Sequence, residues 1–180
     1  MLKIFITGRP GIGKTTVFMR VVTNLRSRGY VVGGIICPEI RSGGRRLGFN
    51  IVDLLTNEKG VLAYVCQEGE AGPRVGKYCV NVSDVVAIGV NAIKRALERA
   101  DVVGIDEVGP MELKVPQLKS SIYEALRSSK PVLAVVHRRI ISELAKVFSD
   151  ARVYEVDYNN RNTLPQVLLP IILDFLAKRR

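Results

Sequence analysis

One run constrains this chain more than any other: Gly8, Arg9, Pro10, Gly11, Ile12, Gly13, Lys14 and Thr15 read G-x-x-x-x-G-K-T. An apolar run over residues 2–7 leads into it, and apolar residues at helical spacing follow over 14–28 until Gly29. That order, strand then loop then helix, is the context in which the motif carries meaning. Glycines let the backbone curl so that successive N–H groups point at one anion, and the helix N-terminus adds a fixed positive potential there. The expected occupant is a triphosphate. Lys14 supplies charge for its β- and γ-phosphates, the Thr15 hydroxyl is placed for Mg²⁺, and Thr16 is the next hydroxyl, within reach of the α-phosphate.

A second segment, Val102, Val103, Gly104, Ile105, Asp106, Glu107, Val108 and Gly109, is an apolar strand that ends in two adjacent carboxylates. In open α/β sheets the carboxyl edge of the strands is where ligands bind. Asp106 is expected to share the Mg²⁺ with Thr15, and Glu107 to orient or deprotonate an attacking water, which implies hydrolysis. His137, Arg138 and Arg139 follow the apolar run Val132–Val136 and should emerge at the same edge. Arg138 is the candidate for stabilising charge on a transferring phosphoryl group, so Lys14, Glu107 and Arg138 form the expected catalytic set. Arg139 reads equally as a solvated first-turn residue, and His137 as a structural one. Asn160 and Arg161, after the run Arg152–Val156, could hydrogen-bond and stack on a base, or form a polar capping turn.

Elsewhere the pattern predicts strands over 30–37 and 47–55 joined as a hairpin through the Gly43-Gly44 turn, and short strands over 61–66 and 78–82. Residues 68–77, with three glycines and a proline, read as a mobile surface loop. Ser83 and Asp84 mark a helix start, and from there strands over 101–106, 131–136 and 152–156 alternate with helices over 116–128, 140–148 and 163–177. Pro165 fits a first helical turn, whereas Pro170 must kink the last helix or remove one of its hydrogen bonds. The reading is an α/β fold with a mostly parallel sheet.

At 180 residues one domain is expected. No apolar run approaches the roughly 20 residues a membrane span needs, and no leader segment is visible. Cys37, Cys66 and Cys79 are odd in number and widely spaced, which signals neither a zinc site nor a disulfide framework and suits a reducing cytoplasm. A net charge of +10, from 27 Lys and Arg against 17 Asp and Glu, would attract polyanions, but the cations are scattered without interleaved aromatics. Nucleic acid is therefore a partner the sequence allows without favouring, and a monomer is expected.

Taken with Gly48-Phe49-Asn50-Ile51-Val52-Asp53, Val75-Gly76-Lys77-Tyr78 and Val136-His137-Arg138-Arg139, the stretch Asp106-Glu107-Val108-Gly109-Pro110-Met111-Glu112 and the phosphate loop resemble one family. It is the thermophilic nucleoside triphosphatase family that includes the human cancer-related NTPase, and the resemblance spans nearly the whole chain. It implies a RecA-like three-layer P-loop core with Val132–Val136 between the phosphate-loop strand and the Asp106 strand. It also implies slow hydrolysis of ATP, GTP and other NTPs with Glu107 as the catalytic carboxylate, and Lys77 and residues 41–46 flanking the nucleotide. Cys37-Pro38-Glu39 stands where Thr-Glu-Glu is more usual. The rivals are a nucleotide or nucleoside kinase, which needs an acceptor site closed from water, and a nucleotide-switched nucleic-acid binder. A GTPase would present Asn-Lys-x-Asp, which residues 157–162 lack.

Overall fold

Apolar side chains on the central strands point alternately to opposite faces, and that alternation builds two separate hydrophobic layers. In β1 (Lys3–Gly8), Ile4 and Ile6 enter one layer and Phe5 the other. In β9 (Val132–Val136), Leu133 and Val135 join the first, while Val132, Ala134 and Val136 join the second. Helix α1 (Lys14–Ser27) and the last helix, α6 (Leu164–Ala177), cover the first layer through Val17, Phe18, Val21, Leu168 and Ile172. α6 runs through Pro170. The second layer is covered by a helical stretch made of α2 (Val82–Asp84), a π-helical segment (Val85–Val90) and α3 (Asn91–Arg99), together with α4 (Pro116–Arg127) and α5 (Ile141–Val147). The computed structural model describes residues 1–179 and has the three-layer α/β/α arrangement.

The sheet runs β10-β1-β9-β8-β2-β4-β5-β7-β6, with β3 paired to β4, where β2 is Val32–Ile36, β3 Glu39–Ser42, β4 Arg45–Asp53, β5 Lys59–Val65, β6 Arg74–Val75, β7 Tyr78–Val80, β8 Val102–Val108 and β10 Arg152–Val156. The five strands from β10 to β2 pair in parallel, and β9 lies between β1 and β8 as the resemblance implied. All five therefore end at one edge, which carries the phosphate loop and the Asp106 segment. Gly104 marks the close approach of α1 to β8, because a Cβ there would sit 2.9 Å from the Phe18 ring.

Three expectations need correction. The hairpin through Gly43-Gly44 joins β3 to β4 and not residues 30–37 to β4; β2 meets β4 only at Ile35–Asp53 and Ile36–Val52. Pro38 has no N–H to continue a ladder, so the chain breaks there and restarts at Glu39, while the Pro38 carbonyl accepts from Asn50 N–H at 2.9 Å. Asn81, not Ser83, caps the helical stretch, accepting from Asp84 N–H at 3.1 Å, and Asp84 is spent on Val61 N–H at 2.7 Å. Cys66 and Cys79 form a disulfide with Cα atoms 5.1 Å apart. The β5–β7 pairing that sets Tyr64 opposite Cys79 brings together cysteines that their spacing keeps apart, and β6 folds part of the 68–77 segment back onto β7.

Candidate active site

The phosphate loop is held at both ends by packing. A Cβ at Gly8 would lie 2.8 Å from the Val156 carbonyl, so the loop leaves β1 flush against β10. Ile12 is buried and anchors the loop's middle. Gly13, at φ 111°, turns the backbone into α1 in a conformation that a side chain would strain. The first intrahelical bond runs from Val17 N–H to Gly13 O at 3.0 Å, so the amides of Lys14, Thr15 and Thr16 are left for a ligand. The Lys14 ammonium donates to the carbonyls of Gly8 at 3.3 Å and Arg9 at 3.1 Å, folding over the loop it serves. Arg9, Pro10, Gly11, Thr15 and Thr16 are exposed. The cradle is open to solvent.

The acidic segment is its opposite. Asp106 is 4% exposed on β8, and burial raises its pKa to about 6 against the opposing pull of the Thr15 hydroxyl hydrogen bond and the Lys14 charge. Glu107 is half-buried, and burial raises it to about 7, with Lys14 lowering it and Asp106 raising it. One of its oxygens, Oε1, is buried without a hydrogen-bond partner. The β8–β9 ladder shifts register between Asp106 and Val108, so Glu107 sits at an irregularity in the sheet. These interactions bring Lys14, Thr15, Asp106 and Glu107 together although they come from two distant segments of chain.

Glu112 was not assigned a role from sequence, yet it belongs to the same cluster. It lies in the short 3₁₀ turn Glu112–Lys114, is 5% exposed, and is pushed to about 8 by burial and then by the Glu107 charge, while the amides of Glu112 itself and Gly109 pull it down. Gly109 is the pivot: a Cβ there would meet Glu112 Oε2 at 2.9 Å, Glu107 Oε1 at 3.5 Å and His137 Cβ at 3.6 Å. Burial and mutual charge repulsion thus hold both Glu107 and Glu112 above the ordinary carboxylate range. Cys37, half-buried just after β2, completes the cluster; burial raises its thiol well above the ordinary range, the Glu112 and Asp106 charges raise it further, and a hydrogen bond at the Glu107 backbone lowers it. The only signal for Glu112 in the sequence is its place five residues after Glu107 within the run shared with the family.

His137 donates its N–H to Val108 O at 3.0 Å and accepts Arg139 N–H at Nδ1, 3.2 Å away. Its carbonyl accepts from Ile140 and Ile141, so it organises the entry to α5. Burial and the charges of Lys14, Arg139 and Arg138 lower its pKa. Arg138 and Arg139 are exposed beside it at the ligand edge. Asn160 is engaged locally: its Oδ1 accepts from Asp157 N–H at 3.0 Å and its Nδ2 donates to Glu155 O at 2.8 Å, the polar turn that was the alternative to a base contact. Arg161 reaches the loop, with Cδ 3.9 Å from the position of a Cβ on Gly13.

Among the described residues no group of three or more His, Cys, Asp or Glu is placed to cage a metal. The donors present are hard oxygens, the Thr15 hydroxyl and Asp106 carboxylate, which fit Mg²⁺ arriving with phosphates better than a metal held by protein alone. No described helix is long and apolar enough to cross a membrane.

An α/β sheet with a phosphate loop after its first strand, and a carboxylate pair two strands away, defines a P-loop NTPase class of site. The profile of a family described as NTPase matches residues 3–169. Nucleoside-triphosphatase THEP1 of Thermofilum pendens is 47% identical over 177 residues, covering 96% of each chain. That of Methanopyrus kandleri is 44% identical over 180 residues, covering 98% of each. The crystal structure of THEP1 from Aquifex aeolicus superposes with a TM-score of 0.79 at 27% identity, covering 95% of this chain and 99% of that one. The solution structure of a human cancer-related nucleoside triphosphatase gives 0.77 at 30% identity over the full length of both. The chain belongs to the THEP1 nucleoside-triphosphatase family.

Proposed function

We propose that this protein is a Mg²⁺-dependent nucleoside triphosphatase that converts ATP, GTP and other NTPs to NDP and phosphate. The observation that carries the reading is the buried, unpartnered Oε1 of Glu107 beside Asp106, both within the electrostatic reach of Lys14. A buried oxygen without a partner is costly unless a ligand or water completes it. The amides of Lys14, Thr15 and Thr16 hold the phosphates, and Lys14 leaves its carbonyl partners to meet the β- and γ-phosphoryl oxygens. Thr15 and Asp106 hold Mg²⁺, which when bound offsets phosphate charge.

Glu107, ionised, accepts a proton from water as the water oxygen bonds to the γ-phosphorus and the bond to the β–γ bridging oxygen breaks. A pKa near neutrality suits a base that must lose its proton before each cycle and take one during it. Arg138 stabilises charge on the transferring phosphoryl group. On this reading the protein acts in the cytoplasm as a monomer, with every residue named above drawn from one chain. Incubation with a panel of NTPs and nucleosides, assayed for free phosphate and for phosphorylated nucleoside, tests the reading. Free phosphate alone is expected, whereas stoichiometric transfer to an acceptor would make the protein a kinase.

A further inference from the structure

Several cations lie over aromatic rings, but Phe49 and Tyr78, under Arg46 and Lys77, are half-buried and packed against the core. Tyr158 is different. It is 74% exposed, with the Arg161 guanidinium 5.1 Å from its ring centroid. The stack stands at the ligand edge, because β10 ends at Val156 opposite Gly8 and Tyr158 follows two residues later.

The turn that carries the stack is rigid. Asp157 Oδ1 accepts from the amides of Asn159 at 2.7 Å and Asn160 at 2.8 Å, Arg161 N–H bonds Asp157 O at 3.1 Å, and the Asn160 side chain ties both ends together. The Arg161 stem runs beside Gly13 and its guanidinium lies over the Tyr158 ring, which puts the pair next to the phosphate cradle. A planar cation held flat by a ring presents a surface that stacks on any aromatic heterocycle.

We propose that the Arg161–Tyr158 stack is the nucleobase platform of this protein, gripping the base by its flat face, with Tyr158 backing the guanidinium. The proposal rests on the reading of the phosphate loop as a nucleotide site. It assigns recognition to a face and not to a hydrogen-bonding edge, since the Asn160 side chain is already engaged in the turn through both its Oδ1 and its Nδ2. Purines, with the larger rings, bind more tightly than pyrimidines on such a platform.

The test compares Mg-ATP and Mg-UTP with Mg-tripolyphosphate, which has the phosphates without a base, by calorimetry on the full chain. Arg161→Ala and Arg161→Lys are expected to lower NTP affinity about 5- to 100-fold, the range of base stacking, and tripolyphosphate affinity less than about twofold. The lysine variant keeps the charge and loses the plane; Tyr158→Ala removes the ring behind the guanidinium and should also lower NTP affinity, by a smaller factor than Arg161→Ala. Equal losses for NTP and tripolyphosphate would make Arg161 a phosphate ligand and overturn the proposal, as would no loss at all. So would an NTP-selective loss from Arg20→Ala alone, which would send the base along the groove of about 400 Å³ that Thr16, Arg20, Thr23 and Asn24 line on α1. Wild-type protein that binds neither NTP nor tripolyphosphate would bring down the underlying reading as well, whereas equal wild-type affinity for the two would remove only the base platform.

Discussion

The cradle and the acids differ in nearly every physical respect. The cradle is backbone, solvent-exposed, continuous in sequence and ready to meet an anion through amides and one lysine. The acidic cluster is side chains, largely buried, gathered from β2, β8 and the 3₁₀ turn after it, with pKa values of about 6, 7 and 8 for Asp106, Glu107 and Glu112. The proposed function places binding in the region that tolerates water and chemistry in the one that restricts it. If the division is real, damage to the two regions must be separable.

Lys14→Ala should give the largest effect on the cradle side, weakening Mg-ATP binding about 100-fold or more as two charge-assisted contacts are lost. Calorimetry reads this directly, and unchanged affinity would detach Lys14 from the phosphates. Arg138→Ala belongs to the chemical side: kcat should fall roughly 10- to 100-fold with KM little altered, because an exposed arginine that acts on developing charge contributes little to ground-state binding. A matching rise in KM would move Arg138 to the cradle.

A smaller effect sharpens the comparison from the acids alone. Asp106, Glu107 and Glu112 are all harder to ionise when folded than when unfolded, so the fold holds extra protons above the ordinary carboxylate range. The unliganded protein should lose stability as pH rises from about 5 to about 9, by several degrees in Tm. Glu112→Gln, which stays neutral, should flatten the upper part of that fall. Scanning calorimetry across the range checks both, and a Tm that rises with pH would show that these acids are not held protonated by burial.

The same contrast explains what the sequence disclosed. The phosphate loop was legible as a strand–loop–helix junction because its motif lies in contiguous residues 8–16, and the strands ending at Gly8, Val108 and Val136 were legible because buried parallel strands are unbroken apolar runs. Glu112 and Cys37 were not. Their importance arises where the β8 end and its 3₁₀ turn fold back to β2, and neither lies at a spacing that announces contact. The antiparallel half was misread for related reasons: a single Pro38 moves the hairpin arm to β3, and the partner of Cys66 is set by β5–β7 register. For Asn160 the sequence allowed a base contact or a polar turn, and its bonds to Asp157 and Glu155 show the turn.

The separation of binding from chemistry is tested most directly by Glu107→Gln, with Mg-ATP affinity and single-turnover phosphate release measured on the same preparation. Affinity within about threefold of wild type, with release slowed about 100-fold or more, is the expected result. Release at the wild-type rate, or an affinity loss as large as the loss of rate, would contradict it.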